Sequence, residues 1–288
     1  MVNATRVAAP RDDGAMMDAD ITSGANPSVR AAVRLRDNRE RASTGLTIVD
    51  GARELCLALD AGVVVEEAFV CEPLVRSPDA HAAVAALRSR AIPYRTTTVP
   101  VFEKLAFGER AEGVVAVIRT PSTALDALRL PPEPLLLVLE AVEKPGNVGA
   151  VLRSADGAGV DAVLLADPRT DPFNPNAIRA SIGTAFTVPI ACGSSDEIRA
   201  FLEERGIRVV AARVDGAVDP WETDLTGSAA IVLGSEAEGL TPAWSGPETI
   251  AVRLPMLGTA DSLNVSVTGA VLAYEALRQR GRHAGRRG

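Results

Sequence analysis

From residue 135 onward, short apolar runs alternate with segments of helical period. Runs of strand length fall at 135–141, 161–166, 186–191, 208–213, 229–234 and 249–254, and helical patterns at about 147–158, 174–183, 195–205 and 261–280. Such alternation predicts an α/β domain, a largely parallel sheet with helices on both faces. The last helix is unusual. In "LPMLGTADSLNVSVTGAVLAYEALRQ" (254–279), Val267 to Leu277 carries an apolar face, yet Asp261, Ser262, Asn264 and Ser266 crowd the front. Read plainly, Ser262 and Asn264 are caps for the unpaired N–H groups of a first helical turn.

The first part of the chain is organised differently. Residues 1–22 lack periodicity and are expected to form a mobile tail. Over 23–121, Asn26-Pro27 opens a helix bearing Arg30, Arg34, Arg36, Arg39 and Arg41. Strand, helix, strand, helix and two further strands follow, from "GLTIVDG" to "GVVAVIRT". This is a second, smaller α/β unit. The proline-rich residues 122–133 form a linker, 134–281 the larger domain, and 282–288 a basic tail.

Composition limits the partners. The formal net charge of −7 and pI near 5.1 exclude a global basic field, so a nucleic acid would have to bind a local patch. The three cysteines, Cys56, Cys71 and Cys192, form no CxxC, and no secretory apolar segment precedes them. A reduced, cytoplasmic protein is the expectation, with no metal site. The longest apolar runs, such as "LLLVLEAV" (135–142), are too short and too charged to span a bilayer.

In open α/β sheets, ligands gather at the carboxyl ends of strands. Three junctions there carry polar side chains beside glycines. "EAVEKPGNVGAVLRSADGAG" (140–159) turns at Pro145-Gly146, sets Asn147 at an expected N-cap, and projects Arg153 from the helix. Its glycines do not have the G-x-G-x-x-G spacing of a dinucleotide site. "IVLGSEAEGL" (231–240) places Glu236 and Glu238 between Gly234 and Gly239, and the front of the last helix is the third. Singly, each has an ordinary explanation: an N-cap, a solvated arginine, a surface carboxylate, a capping pair.

Taken together, and in this order, the three segments resemble the motifs of the SpoU/TrmH (SPOUT) family of RNA ribose 2'-O-methyltransferases, over about residues 134–280. "DPFNPNAIRASIGTAFTVP" (171–189) is also similar to that family, and "NPSVRAAVRLRDNRERASTGLTIVDGARE" (26–54) resembles the ribosomal-protein-like α/β substrate-binding domain of many members. The resemblance implies a trefoil knot in the C-terminal domain, which periodicity alone does not suggest. It implies S-adenosylmethionine as methyl donor, with Gly234, Leu254, Met256 and Leu263 lining its slot, Val232 and Leu233 behind them, and Gly239 in the same loop. The catalytic group it implies is Arg153 with Asn147, Glu236, Ser262 and Asn264, the arginine crossing a homodimer interface.

No histidine is placed to act as base, His81 and His283 both lying elsewhere. An arginine is a poor base, and phosphate gripping or alkoxide stabilisation suits it better. The RNA patch is expected over Arg30, Arg34, Arg36, Arg39 and Arg41, with Arg179 and Ser181 near the target nucleotide. Composition and layout look like the avilamycin- and thiostrepton-resistance members that act on 23S rRNA. Methylation of tRNA, or a non-catalytic RNA-binding role, are the alternatives.

Overall fold

The structure, a computed structural model, describes residues 20–107 and 111–281. The basic tail lies outside these residues, as does the expected N-terminal tail up to residue 19. The remainder of that tail is ordered. Ile21 is buried and bridges Thr97 in parallel, its amide donating to the Thr96 carbonyl at 3.0 Å.

The N-terminal unit comprises α1 (Pro27–Arg34), α2 (Asn38–Thr44), β1 (Leu46–Val49), α3 (Ala52–Asp60), β2 (Val65–Val70), α4 (Pro78–Ser89), β3 (Tyr94–Thr96), α5 (Val99–Leu105) and β4 (Val114–Arg119). Its sheet runs β1-β4-β2-β3, antiparallel except for the β2–β3 pair. The single arginine-bearing helix expected from residue 26 is two helices. Leu35 ends the first, and Asp37 caps the second by accepting from the Arg39 amide at 2.7 Å.

The C-terminal unit comprises β5 (Leu135–Glu140), α6 (Pro145–Ala158), β6 (Ala162–Ala166), α7 (Pro175–Ala180), β7 (Ile190–Gly193), α8 (Ser195–Glu204), β8 (Arg208–Ala212), β9 (Ala229–Leu233), β10 (Thr249–Val252) and α9 (Val265–Gln279). Its sheet is parallel throughout, in the order β10-β8-β9-β5-β6-β7. Every residue of the central β5 is buried, as a strand covered on both faces requires. Alternation sorts its side chains. Leu135, Leu137 and Leu139 share a core with Val148, Val151 and Leu152 of α6 and with Leu272, Ala273 and Ala276 of α9, whereas Leu136 and Val138 meet Ile198 and Leu202 of α8 and the buried Trp244. Gly149 lets α6 approach α7, since a Cβ there would lie 2.7 Å from the Ala180 Cβ and 2.9 Å from the Ser181 amide nitrogen.

Two expected elements shift. The strand expected at 186–191 is a short 3-10 turn, Thr184–Phe186, followed by β7, with Pro189 between them. The last helix begins at Val265 rather than at 261, because Asn264 caps it, Oδ1 accepting from the Ser266 amide at 2.9 Å. Residues 253–264 before it have no regular structure.

A polar seam joins the two units. Arg41 donates to Asp171 at 2.7 Å, Thr47 Oγ1 to the Phe173 carbonyl at 2.8 Å, and Arg179 to Asp50 at 2.5 Å. Asp50 is buried, and burial pushes its carboxyl up from the ordinary value against the opposing pull of the Phe107 amide and Arg179.

Candidate active site

The carboxyl ends of β8, β9 and β10 open into a cleft of about 600 Å³. Leu233, Val252, Leu254, Leu263 and Leu272 supply apolar wall, while Gly234, Gly239, Leu240 and Met256 also line it. The loop after β9 folds tightly on itself. Ser235 and Gly239 exchange two main-chain hydrogen bonds, of 3.2 and 3.0 Å, and Gly234 lies so close beneath that a Cβ would stand 2.5 Å from the Leu240 amide nitrogen.

At one rim three expected residues converge. Glu236 Oε1 accepts from Asn147 Nδ2 at 2.8 Å and from Asn264 Nδ2 at 2.5 Å, and Oε2 accepts from Lys144 Nζ at 2.5 Å. Asn264 also donates to Asn147 Oδ1 at 3.4 Å. The cluster therefore ties the loop after β5, the loop after β9 and the start of α9. The hydrogen bond from Lys144, above all, holds the Glu236 carboxyl below the usual carboxylate value, with Asn147 helping, and the Lys144 ammonium is raised in return. Ser262 lines the same cleft, exposed, with no hydrogen bond to a described residue.

Asn147 is not the N-cap. Helix α6 starts two residues earlier, at Pro145, with Lys144 at the cap position, and this frees the Asn147 amide to turn toward Glu236. The side chain of Asn264 does both jobs at once, its oxygen capping α9 and its nitrogen holding Glu236. Arg153 is exposed on α6, outside the cleft, and has no hydrogen bond or ion pair to a described residue. Within one chain it does not join the cluster. Leu233 reaches the cleft wall, but Val232 points to the opposite face of the sheet, among Leu136, Val138 and Trp244, and cannot touch a ligand there.

The arginine patch divides. Arg41 is buried, donating to Asp171 and to the Leu35 and Arg36 carbonyls at 3.0 and 2.9 Å, so it is structural rather than RNA-facing. Arg36 caps α5 by donating to the Lys104, Leu105 and Ala106 carbonyls. Arg30, Arg34 and Arg39 stay exposed, Arg34 pairing with Glu40 at 3.1 Å. Arg30, Arg34 and Arg36 share a cleft of about 480 Å³ with Lys104 and Glu103 of α5. Ser181 is fully buried and donates to the Ile178 carbonyl at 2.8 Å, which removes it from any nucleotide contact. Arg179 is half-buried in the seam, over the Phe107 ring and bonded to Asp50.

Sequence reasoning missed Lys144, Arg169 and Lys104. Arg169 bridges Glu143 at 2.6 Å and Glu238 at 3.5 Å, a second link between the loops after β5 and β9. A lysine at a helix N-terminus is unfavourable to the helix dipole, and that was the available sign of a carboxylate partner for Lys144. Lys104 is 70 residues from Arg34 and gave no sequence signal.

A cleft at the carboxyl ends of a parallel sheet, rimmed by polar groups from three loops, is where an α/β enzyme binds a small-molecule cosubstrate. Residues 134–274 match the SpoU rRNA methylase family, and residues 26–116 match the MRM3-like substrate-binding domain. The 23S rRNA (guanosine-2'-O-)-methyltransferase RlmB of Vibrio vulnificus is 35% identical over 61% of this chain and 73% of its own. A crystal structure described as an RNA 2'-O ribose methyltransferase shares 39% identity and superposes with a TM-score of 0.79, covering 90% of this chain and 98% of that one. The SpoU methyltransferase AviRb of Streptomyces viridochromogenes, in complex with AdoMet, is 27% identical, with a TM-score of 0.78 over 91% of this chain and 100% of its own. This chain belongs to the SpoU rRNA methylase family.

Proposed function

We propose that this protein transfers a methyl group from S-adenosylmethionine to a ribose 2'-hydroxyl of 23S rRNA, working as a homodimer. The observation that carries the proposal is the Asn147–Glu236–Asn264 cluster on the rim of the 600 Å³ cleft, in a chain of this family. The cleft fits the donor. Its leucine walls suit an adenine ring, the tight loop at Gly234 offers main-chain groups, and the structurally similar AviRb was crystallised with AdoMet. When bound, the donor supplies a methyl group activated by its sulfonium.

The protein's task is then to hold the 2'-oxygen in line with that methyl and to stabilise the charge left as the hydroxyl proton departs. Asn147 and Asn264 fix the Glu236 carboxylate in one orientation, and Ser262, unbonded on the same wall, is available to the ribose. Arg153 acts from the partner subunit. Two facts support this: its side chain has no partner among the described residues on the exposed side of α6, and the adjoining face of α9 leaves Val267 and Tyr274 exposed, 46% and 51%. A guanidinium is a poor base, so its role is to grip phosphate and stabilise the developing alkoxide. The RNA backbone runs over the cleft of Arg30, Arg34 and Lys104, with Arg39, exposed on α2, as a further contact. A trefoil knot in the C-terminal domain, as the resemblance implies, is part of the same proposal. We extend the proposal to resistance: expression in a sensitive host should raise the inhibitory concentration of avilamycin or thiostrepton.

Subunit mixing tests the shared site. Arg153→Ala and Glu236→Ala dimers should each be inactive, and after co-refolding of equal amounts roughly a quarter of wild-type activity should return, the statistical share of sites with both groups. No recovery, or a monomer by light scattering, would overturn the cross-subunit arginine.

A further inference from the structure

Glu140 is only 1% exposed at the last position of β5, a charged residue closing an apolar strand. A buried carboxylate persists only where donors surround it, and the donors identify what it holds. Oε2 accepts from the Thr241 amide at 2.7 Å, and Oε1 accepts from the Thr241 hydroxyl at 2.6 Å and the Ser195 hydroxyl at 2.9 Å. The single Ser195 hydroxyl proton is shared with Asp167, 2.6 Å away, to which the Ser195 amide also donates at 3.1 Å. Two of the three donors thus come from Thr241. That residue stands at the N-cap of the short turn Pro242–Trp244, yet its hydroxyl makes no cap bond there.

The position of Thr241 gives the arrangement its meaning. It directly follows Leu240, the last cleft-lining residue of the loop after β9. That loop's first foot is fixed by the ladder, where Leu233 registers with Leu139. Its second foot rests on the carboxylate of the next β5 residue, Glu140. Three and four residues beyond Glu140, the same chain supplies Glu143 and Lys144, which reach the loop's crest at Glu238, through Arg169, and at Glu236. We infer that Glu140 is a positioning residue for methyl transfer: by holding Thr241 it sets the loop 234–240 at the height that shapes the donor cleft and presents Glu236. Glu140 does not line the cleft, and it acts through the loop.

The inference rests on the methyl-donor reading of the cleft, and the test separates the two. Thr241→Val keeps the side-chain shape and the main-chain amide but removes the hydroxyl, Thr241→Ser restores it, and Glu140→Gln replaces one acceptor oxygen by a donor. Hydrogen exchange in the donor-free protein reads the loop directly. In Thr241→Val the amides of 235–240 should exchange about tenfold faster, while β5, β9 and the melting temperature hold, and Thr241→Ser should match wild type. With donor, Thr241→Val should raise the KM for S-adenosylmethionine about tenfold and leave the KM for RNA unchanged. Glu140→Gln should exceed Thr241→Val in both readouts where it folds. Wild-type exchange at 235–240 in Thr241→Val would overturn the inference. If the wild-type protein binds no S-adenosylmethionine, the functional reading fails and the exchange result alone decides the role of Glu140.

Discussion

Replacing Gly234 by alanine should close the donor cleft. The new Cβ would stand 2.5 Å from the Leu240 amide nitrogen and nearer still to the carbonyl group of Gly239. Favourable contacts between non-bonded heavy atoms lie near about 3.5 Å, so the 235–240 loop must retreat by about 1 Å. The opposing atoms are main chain, and no rotamer change relieves the clash. Nor can the loop slide freely, being held by the Ser235–Gly239 pair, by the three donors on Glu236 and by Thr241 on Glu140. Overpacking of this kind costs about 1–3 kcal/mol. Expressed in the cleft, that is about a tenfold to hundredfold loss of S-adenosylmethionine affinity. Titration calorimetry with the donor, beside scanning calorimetry for stability, measures both. Gly258→Ala is the control, since it lies in the 253–264 loop with nothing within 4 Å of its Cβ, and it should bind as wild type. Unaltered affinity in Gly234→Ala would refute the placement of the donor against this loop.

Other expectations follow from the same geometry. Arg41→Ala removes a side chain only 3% exposed, leaving Asp171 and two carbonyls without their donor; it should cost about 2–4 kcal/mol in urea unfolding and leave the salt dependence of RNA binding unchanged. Combined substitution of Arg30, Arg34 and Lys104 by alanine should instead leave stability alone and lower the slope of log K against log salt by about 2–3, one phosphate contact each. An unchanged slope would put the RNA track elsewhere. Because the folded Glu236 carboxyl lies below its ordinary value of 4.5, the clasp's contribution is complete above that value and is lost as pH falls through the lower one. The melting-temperature gap between wild type and Glu236→Gln should therefore be constant from pH 5 to 8 and narrow only below about pH 4, and narrowing already at pH 6 would contradict the assignment.

How much of this was legible in the chain depended on whether a residue acted locally. Apolar runs alternating with helical patterns revealed the parallel sheet because its central strands β5, β6 and β9 bury every residue. Asn147, Glu236 and Asn264 came into view through their motifs, yet the capping role given to Asn147 belongs to the Lys144 position, since Pro145 starts the helix earlier. Arginines could be counted but not sorted. Arg41 and Arg36 are spent on carbonyls and on Asp171, partners remote in sequence or set by a helix break at Leu35–Asp37. Ser181 and Val232 went astray for the same reason: which way a side chain faces is settled by the strand or turn it joins, and a one-residue step along β9 separates the cleft wall from the opposite core. Glu140 showed only as a charge ending an apolar run, and its partner Thr241 lies 101 residues away.

The most direct test of the central claim is transfer of tritiated methyl from S-adenosylmethionine to separate 23S rRNA, 16S rRNA and tRNA pools, followed by reverse-transcription mapping at low dNTP. The account predicts label in 23S rRNA with a single ribose stop, absent with Arg153→Ala although that variant still binds the donor. Label confined to tRNA, or no label from a protein that binds no donor, would contradict it.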